Sequence, residues 1–129
     1  MLDHIGIIVS DLNRSSTFYS AALRPLGYNL TKDDKASAAF GVSEGYGKSS
    51  DPGGDFWLSE GTPMRPLAHF AFSAVSRIAV DEFFSVALAA GGKGNGGPAL
   101  RTQYHPCYYA AFILDPDGYN IEAVCHLIV

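Results

Sequence analysis

Residues 2–23, LDHIGIIVSDLNRSSTFYSAAL, decide the fold of this chain. The opening segment, LDHIGIIVS, is a short apolar run rich in β-branched side chains, which predicts a strand buried on both faces. Asp11 follows as a candidate helix N-cap. The apolar side chains beyond it recur at helical spacing as far as RPLGY at residues 24–28, so we predict a helix after the strand. One titratable side chain, His4, lies inside the predicted strand.

The same pattern returns at residues 67–92, LAHFAFSAVSRIAVDEFFSVALAAGG, where Ser76 is the candidate helix cap. Aligned without a gap, the two stretches place His4 on His69, an offset of 69 − 4 = 65 residues. Strand-like segments follow in each half, namely SAAFGVS and GDFWLSE in the first and YYAAFILDPDGYNIEAVCH in the second. Each half therefore predicts the order β-α-β-β-β.

The predicted fold class is α+β, with one domain over residues 1–129. The domain consists of two tandem βαβββ modules, about 1–62 and about 66–126. Two copies of a unit indicate an internally duplicated domain, because a solenoid needs more units to bury a continuous core.

The composition excludes several classes of partner. The chain has 129 residues and a formal charge of -4 without a cluster of Lys and Arg, so nucleic acid and anionic membrane surfaces are not expected partners. No apolar run approaches the roughly 20 residues of a membrane span, and the N-terminus lacks the pattern of a signal peptide. Cys107 and Cys125 form no CxxC motif, so we expect buried, inert thiols without a disulfide or zinc framework, in a reducing, cytoplasmic environment.

The duplicated pattern also indicates a site. Glu122 lies in the apolar strand after the DPDG turn, where an unpaired carboxylate would cost several kcal/mol. The offset places Trp57 at the matching position, because 122 − 65 = 57. His4, His69 and Glu122 together have the composition of the non-haem Fe(II) triad, which also suits Zn, Mn or Ni. Taken singly, a strand His is more often a core residue, and a strand Glu more often pairs with Lys or Arg.

The segment YHPCYY, residues 104–109, offers candidate acid and base groups. Counting back across the DPDG hairpin pairs Ala111 with Glu122, which directs Tyr109 to the site and Tyr108 away from it. A bulge would exchange the two tyrosines. His105 is either a general acid or base or an exposed loop histidine.

Aromatic residues on the predicted strands offer a substrate pocket. The candidates for its wall are Trp57, Phe56, Phe72 and Tyr108. Aromatic side chains on strands are also frequent core residues, so each candidate has two interpretations. Asp55, two residues before Trp57, is an alternative carboxylate ligand if that strand is shifted.

The stretches LDHIGIIVSDLNRSSTFY, HFAF and FILDPDGYNIEAV resemble the vicinal oxygen chelate superfamily of glyoxalases, extradiol dioxygenases, epimerases and bleomycin-binding proteins. The resemblance covers nearly the whole chain. It implies paired βαβββ modules whose mixed sheets curl into a half-barrel around a central cleft that holds the active site.

Carried over residue by residue, the resemblance implies a divalent metal held by His4, His69 and Glu122, with Trp57 at the fourth ligand position. It therefore implies a dioxygenase-, lyase- or isomerase-type metalloenzyme acting on a small substrate with vicinal oxygens, in preference to a four-ligand glyoxalase I. The alternative is a metal-free small-molecule-binding protein of the same fold. We expect a homodimer, whose modules pair within one chain or swap between two chains.

Overall fold

The computed structural model describes residues 1–128, and in these residues two helices and nine short strands alternate along the chain. The helices are α1 (Leu12–Ala22) and α2 (Arg77–Ala89), and a 3-10 turn spans Arg24–Leu26. The strands are β1 (Ile5–Val9), β2 (Asn29–Asp33), β3 (Ser37–Gly41), β4 (Phe56–Glu60), β5 (His69–Ser73), β6 (Lys93–Gly94), β7 (Ala99–Leu100), β8 (Tyr109–Leu114) and β9 (Asn120–Cys125).

The strands form two mixed sheets, one from each half of the sequence. The first sheet has the order β1-β4-β3-β2, and the second has the order β5-β9-β8-β6 with β7 also on β8. In each sheet the strand before the helix runs parallel to the last strand of its half, and the other pairs are antiparallel. The predicted α+β fold with mixed sheets and two helices is confirmed, and neither sheet is closed.

The offset of 65 residues is confirmed at the helix caps and in the parallel strand pairs. Asp11 caps α1 and Ser76 caps α2, each accepting a hydrogen bond from a first-turn N–H, and 76 − 11 = 65. Gly6 pairs with Trp57 in the first sheet, as Ala71 pairs with Glu122 in the second. Trp57 therefore occupies the position of Glu122, as the sequence predicts.

The offset of 65 residues does not extend to β3 and β8, the strands that pair antiparallel with the last strand of each half. Ala39 pairs with Trp57 and Phe112 pairs with Glu122, so the offset here is 112 − 39 = 73. The second half has more chain before this strand, because β6, β7 and a loop precede β8. It has less chain after it, because a tight hairpin replaces the long connection between β3 and β4.

One hydrophobic cluster of buried side chains draws on both sheets and both helices. Along β1, Ile7 and Val9 are buried, whereas Gly6 and Ile8 are exposed. The prediction that this strand is buried on both faces is wrong, because the cluster covers only one of its faces. Phe56 and Phe72 bury their rings in the same cluster, with ring centres 5.2 Å apart.

Hydrogen bonds also join the two halves at the β8–β9 hairpin. The Tyr19 hydroxyl of α1 donates to the Asp115 carboxyl at 2.5 Å, and the Tyr119 hydroxyl donates to the Ile8 carbonyl at 2.6 Å. Burial raises the pKa of the Asp115 carboxyl, and burial together with Asp115 raises the pKa of the Tyr19 hydroxyl well above its ordinary value. The hydrogen bond between Tyr19 and Asp115 therefore lies in a buried contact between the two halves of the chain.

Helices of residues 1–128 are short, and none of them has the length and apolar character needed to cross a membrane.

Candidate functional site

Glu122 is a buried carboxylate on the face of the second sheet that points away from the core, here called the outer face. Its strand neighbours Ile121 and Ala123 point into the core, so the glutamate points the other way. Glu122 is 2% exposed, and each of its oxygens has a polar partner. The His69 Nε2 lies 3.1 Å from Oε1, and the Tyr108 hydroxyl donates to Oε2. These partners offset the cost of burying the charge.

His69 is oriented by the backbone of the neighbouring strand. Its Nδ1 lies 2.8 Å from the Asn120 carbonyl oxygen, which can only accept, so Nδ1 carries a proton. In the neutral ring Nε2 then has a free lone pair, and this atom faces Glu122. Two acceptors that face each other must share a proton or a cation. The His69 side chain is 48% exposed, so this position is open to solvent on one side.

His4 does not join this pair within one chain. It precedes β1, its side chain is 59% exposed, and its Nδ1 lies 2.7 Å from the Asp3 carboxylate. Across residues 1–128, no group of three or more His, Cys, Asp or Glu side chains could hold a metal ion. A single chain brings His69 and Glu122 together, but it does not bring His4 to them. His4 precedes β1 and His69 begins β5, and these two strands belong to different sheets.

The hairpin register reverses the expected roles of two tyrosines. Phe112 faces Glu122, one residue beyond the predicted Ala111, because five residues and not four separate Leu114 from its partner Asn120. Tyr108 therefore reaches Glu122, and burial followed by this hydrogen bond raises the pKa of its hydroxyl to about 12.

Tyr109 lies on the other face of the sheet. Its hydroxyl donates to Asp81 of α2 at 2.7 Å, and the Arg77 guanidinium lies 5.2 Å from its ring centre. The prediction that Tyr109 reaches the site of Glu122 is therefore wrong.

His105 contacts the site only through a tyrosine ring. Its Nε2 lies 2.7 Å from His126 Nδ1, and its Nδ1 accepts the Cys107 N–H at 3.1 Å. Because His105 Nδ1 accepts a hydrogen bond, the proton of the imidazole ring is on Nε2. His105 Nε2 therefore donates to His126 Nδ1. The Tyr108 ring packs edge-on against both imidazoles, with centres 5.3 Å away from each. His105 makes no hydrogen bond to Glu122, so the structure does not place this predicted acid or base on the carboxylate.

The predicted aromatic wall divides between two places. Trp57 is half-buried on the first sheet, where its Nε1 donates to the Gly54 carbonyl at 3.0 Å and Lys32 lies over its ring. Phe56 and Phe72 are core residues whose edges border a cavity of about 120 Å³ beside His4. Tyr108 is the one member of the predicted wall that contacts Glu122.

Asp55, the alternative ligand, borders the same cavity as His4. The Ser49 hydroxyl donates to Asp55 Oδ2 at 3.0 Å, and a hydrogen bond to Asp55 helps to raise the pKa of Tyr28, after burial. Trp57 keeps its expected register, so the strand shift that would make Asp55 a ligand does not occur.

Two residues of the outer face were not predicted from the sequence. The Phe112 ring lies tilted against the His69 ring with centres 6.1 Å apart, and the Arg101 guanidinium lies 5.3 Å from the centre of the same phenyl ring. A lone arginine in a loop and an aromatic residue in a strand carry no sequence signal of a site. The register of β8 against β9 places Phe112 opposite Glu122, and the pairing of β7 with β8 brings Arg101 to the same face.

Comparison with known proteins identifies the family. The sequence model of the Glyoxalase/Bleomycin resistance protein/Dioxygenase superfamily matches residues 1–123. The chain belongs to this superfamily. No match is found among curated proteins.

Solved structures of the superfamily share the fold. A glyoxalase/bleomycin resistance protein from Albidiferax ferrireducens is 26% identical, with 95% of this chain and 96% of that chain covered and a TM-score of 0.75. A superfamily enzyme from Burkholderia phytofirmans is 21% identical, with 98% of both chains covered and a TM-score of 0.71. A mutant of the Listeria monocytogenes fosfomycin resistance protein FosX is 20% identical, covers 96% of this chain and 88% of its own, and has a TM-score of 0.67. The FosX structure contains Mn(II) and 1S,2S-dihydroxypropylphosphonic acid.

Proposed function

We propose that this chain is a small-molecule enzyme of the superfamily, in which a divalent metal binds vicinal oxygens of the substrate. His69 and Glu122 would hold the metal within one chain, and His4 of a second copy would be the third ligand. The observation that supports the proposal is the 3.1 Å contact of His69 Nε2 with Glu122 Oε1 on the outer face. A bound divalent ion would supply Lewis-acid polarisation of the substrate oxygens.

The geometry of the pair fits a metal site. Two neighbouring ligands that each lie about 2.1 Å from one ion are about 3.0 Å apart in octahedral geometry and about 3.4 Å apart in tetrahedral geometry. A metal-binding histidine typically donates its other ring N–H to a backbone carbonyl or a carboxylate. His69 donates Nδ1–H to the Asn120 carbonyl, and the Tyr108 hydroxyl fixes the second oxygen of Glu122. Fe, Zn, Mn and Ni all accept this donor set.

His4 supports a site shared between two copies. Its Nδ1 is occupied by the Asp3 carboxylate, which leaves Nε2 as the outward-facing donor. The outer faces near both histidines are accessible, because Gly6, Ile8 and Ala71 are exposed. We propose a homodimer in which modules of about 1–62 and 66–126 from two copies form the half-barrel cleft. Neither Cys107 nor Cys125 forms a disulfide in the described residues, which fits the proposed cytoplasmic location.

Metal analysis tests the proposal. Protein purified without a histidine tag is loaded with Mn(II) or Fe(II), desalted, and assayed for bound metal by mass spectrometry. We expect wild type and His105→Ala to retain metal and His69→Ala to lose it, because of these two histidines only His69 contacts Glu122. Equal metal contents in the two variants would contradict the proposed ligand set.

A metal-free binding protein is the second candidate function. Its support is that a proton shared between His69 Nε2 and Glu122 Oε1, together with the Tyr108 hydroxyl on Oε2, satisfies both oxygens of the carboxylate without a metal ion. This candidate predicts a metal-free wild type whose midpoint of thermal unfolding is unchanged by EDTA. The metalloenzyme proposal predicts a lower midpoint after EDTA treatment of the loaded protein.

A further inference from the structure

Arg101 is a fixed cation that lacks an anionic partner in the described part of the chain. Its Nη2 donates to the Gly97 carbonyl at 2.5 Å, and its guanidinium lies 5.3 Å from the centre of the Phe112 ring. Residues 1–128 contain no salt bridge that involves Arg101. Its buried Nε has no hydrogen-bond acceptor in the same range. Because Nε is covered by the protein itself, an anionic ligand would meet the guanidinium through its Nη groups.

The strand register places this cation on the face of Glu122. The Arg101 backbone N–H donates to the Tyr108 carbonyl at 2.7 Å, beside the β7–β8 pair of Leu100 and Tyr109. Tyr109 points toward α2, so the alternation of a strand directs Tyr108 and Arg101 to the opposite face. That face also carries Phe112, which pairs with Glu122 across the sheet.

We propose that the Arg101 guanidinium binds a carboxylate of the substrate, in a subsite beside the His69–Glu122 pair. A guanidinium offers parallel N–H groups that match the two oxygens of a carboxylate, and the hydrogen bond to the Gly97 carbonyl and the contact with the Phe112 ring hold the group in place. This inference rests on the proposed function and adds the substrate class, a small organic acid with vicinal oxygens. Neutral substrates of the same shape would leave the Arg101 donors unpaired.

A small ligand can meet both groups. The Phe112 ring lies near both His69 and Arg101, with its centre 6.1 Å from the His69 ring centre and 5.3 Å from the guanidinium. A benzoate with two adjacent hydroxyls is a suitable probe, because its hydroxyl oxygens and its carboxylate lie at opposite ends of one ring. Catechol is the matching neutral probe, because it has the same adjacent hydroxyls without the carboxylate.

Calorimetric titration of the full chain with 3,4-dihydroxybenzoate and with catechol tests the inference, both with Mn(II) and in EDTA. We expect wild type to bind the acid about 10- to 100-fold more tightly than catechol, the usual range for a hydrogen bond to a charged group. Arg101→Gln should abolish this preference without changing the affinity for catechol. Arg101→Lys, which keeps the charge but not the planar fork, should retain part of it.

Arg77 offers a matched control. It also stacks on a tyrosine ring and has a buried Nε without an acceptor among the described residues, but it lies on the opposite face. Arg77→Gln should therefore keep the full preference for the acid, and thermal unfolding verifies that every variant is folded.

The outcomes separate this inference from the proposed function. If wild type does not prefer the acid, or if Arg101→Gln and Arg101→Lys keep the preference, the subsite is refuted even where Mn(II) and catechol bind. If Mn(II) does not bind but the preference persists in EDTA and depends on Arg101, the subsite stands and the proposed metal fails.

Discussion

Replacing Tyr108 by Phe removes one hydroxyl from the outer-face site and keeps the aromatic ring. The ring packs against His105, His126 and Tyr104, and these contacts are unchanged by the substitution. The hydroxyl donates to Glu122, whose side chain is only 3% exposed, so its loss leaves a buried carboxylate oxygen without this donor. A hydrogen bond to a charged group contributes about 1.5–3 kcal/mol, and we expect Tyr108→Phe to lower the free energy of unfolding by that amount.

The neighbouring tyrosine gives a control with the same chemical change. The Tyr109 hydroxyl donates to Asp81, an exposed carboxylate that water can solvate when the donor is removed. We expect Tyr109→Phe to lower the free energy of unfolding by less than about 1 kcal/mol. Urea denaturation at pH 7, followed by tryptophan fluorescence and circular dichroism, measures both variants. Equal losses would contradict the account, because they would show that Glu122 does not depend on Tyr108.

The difference in unfolding free energy between wild type and Tyr108→Phe also depends on pH. The pKa of Tyr108 is about 12 in the folded chain and about 10 in the unfolded chain, so the folded state retains the phenolic proton more strongly. Its contribution to stability is complete below pH 10 and is lost as the pH rises toward 12. The stability difference between wild type and Tyr108→Phe should therefore shrink across this range. A difference that grows above pH 10 would contradict the assignment of the raised pKa.

Three further perturbations test the fold and the site. Tyr19→Phe removes a buried hydrogen bond between the halves and should cost about 1–3 kcal/mol in urea denaturation, and no measurable loss would refute that contact. Gly54→Ala should lower the thermal midpoint strongly, because its φ is +101° and a Cβ would lie 2.3 Å from a carbonyl oxygen, whereas Gly97→Ala, with open space around it, should change the midpoint little. Mn(II) at about 100 times its dissociation constant should stabilise wild type by about 2.7 kcal/mol but leave His69→Ala unchanged, and equal stabilisation of both would contradict the ligand assignment.

Local sequence patterns predict much of this fold. The helix starts follow from Asp11 and Ser76, because a capping side chain and the first N–H groups of a helix are close in sequence. The constant offset also predicts that Trp57 and Glu122 occupy equivalent positions, which the parallel strand pairs confirm. These features depend on contacts within a few residues or on a repeat that is visible in the sequence.

The site depends on longer-range geometry that the sequence does not contain. One additional residue in the hairpin turn exchanges Tyr108 and Tyr109, because a shift of one residue turns every side chain of a strand to the other face. The position of His4 depends on how β1 lies relative to the second sheet, and strand periodicity carries no information about that arrangement. Arg101 reaches the site only because β7 pairs with β8.

In the proposed dimer, His4 of one copy completes the metal site formed by His69 and Glu122 of the other. Mixing the variants His4→Ala and His69→Ala, followed by dissociation and reassociation, tests it directly. A mixed dimer would contain one intact site, because one subunit keeps His69 with Glu122 while the other keeps His4.

Metal content per site, measured on the separate variants and on the equimolar mixture, is the deciding measurement. Random reassociation makes half of the dimers mixed, each with one intact site of two, so the account predicts no tightly bound metal in either variant and about a quarter of the wild-type metal in the mixture. A mixture that binds no more metal than its components would contradict the shared site, as would full metal retention by His4→Ala alone.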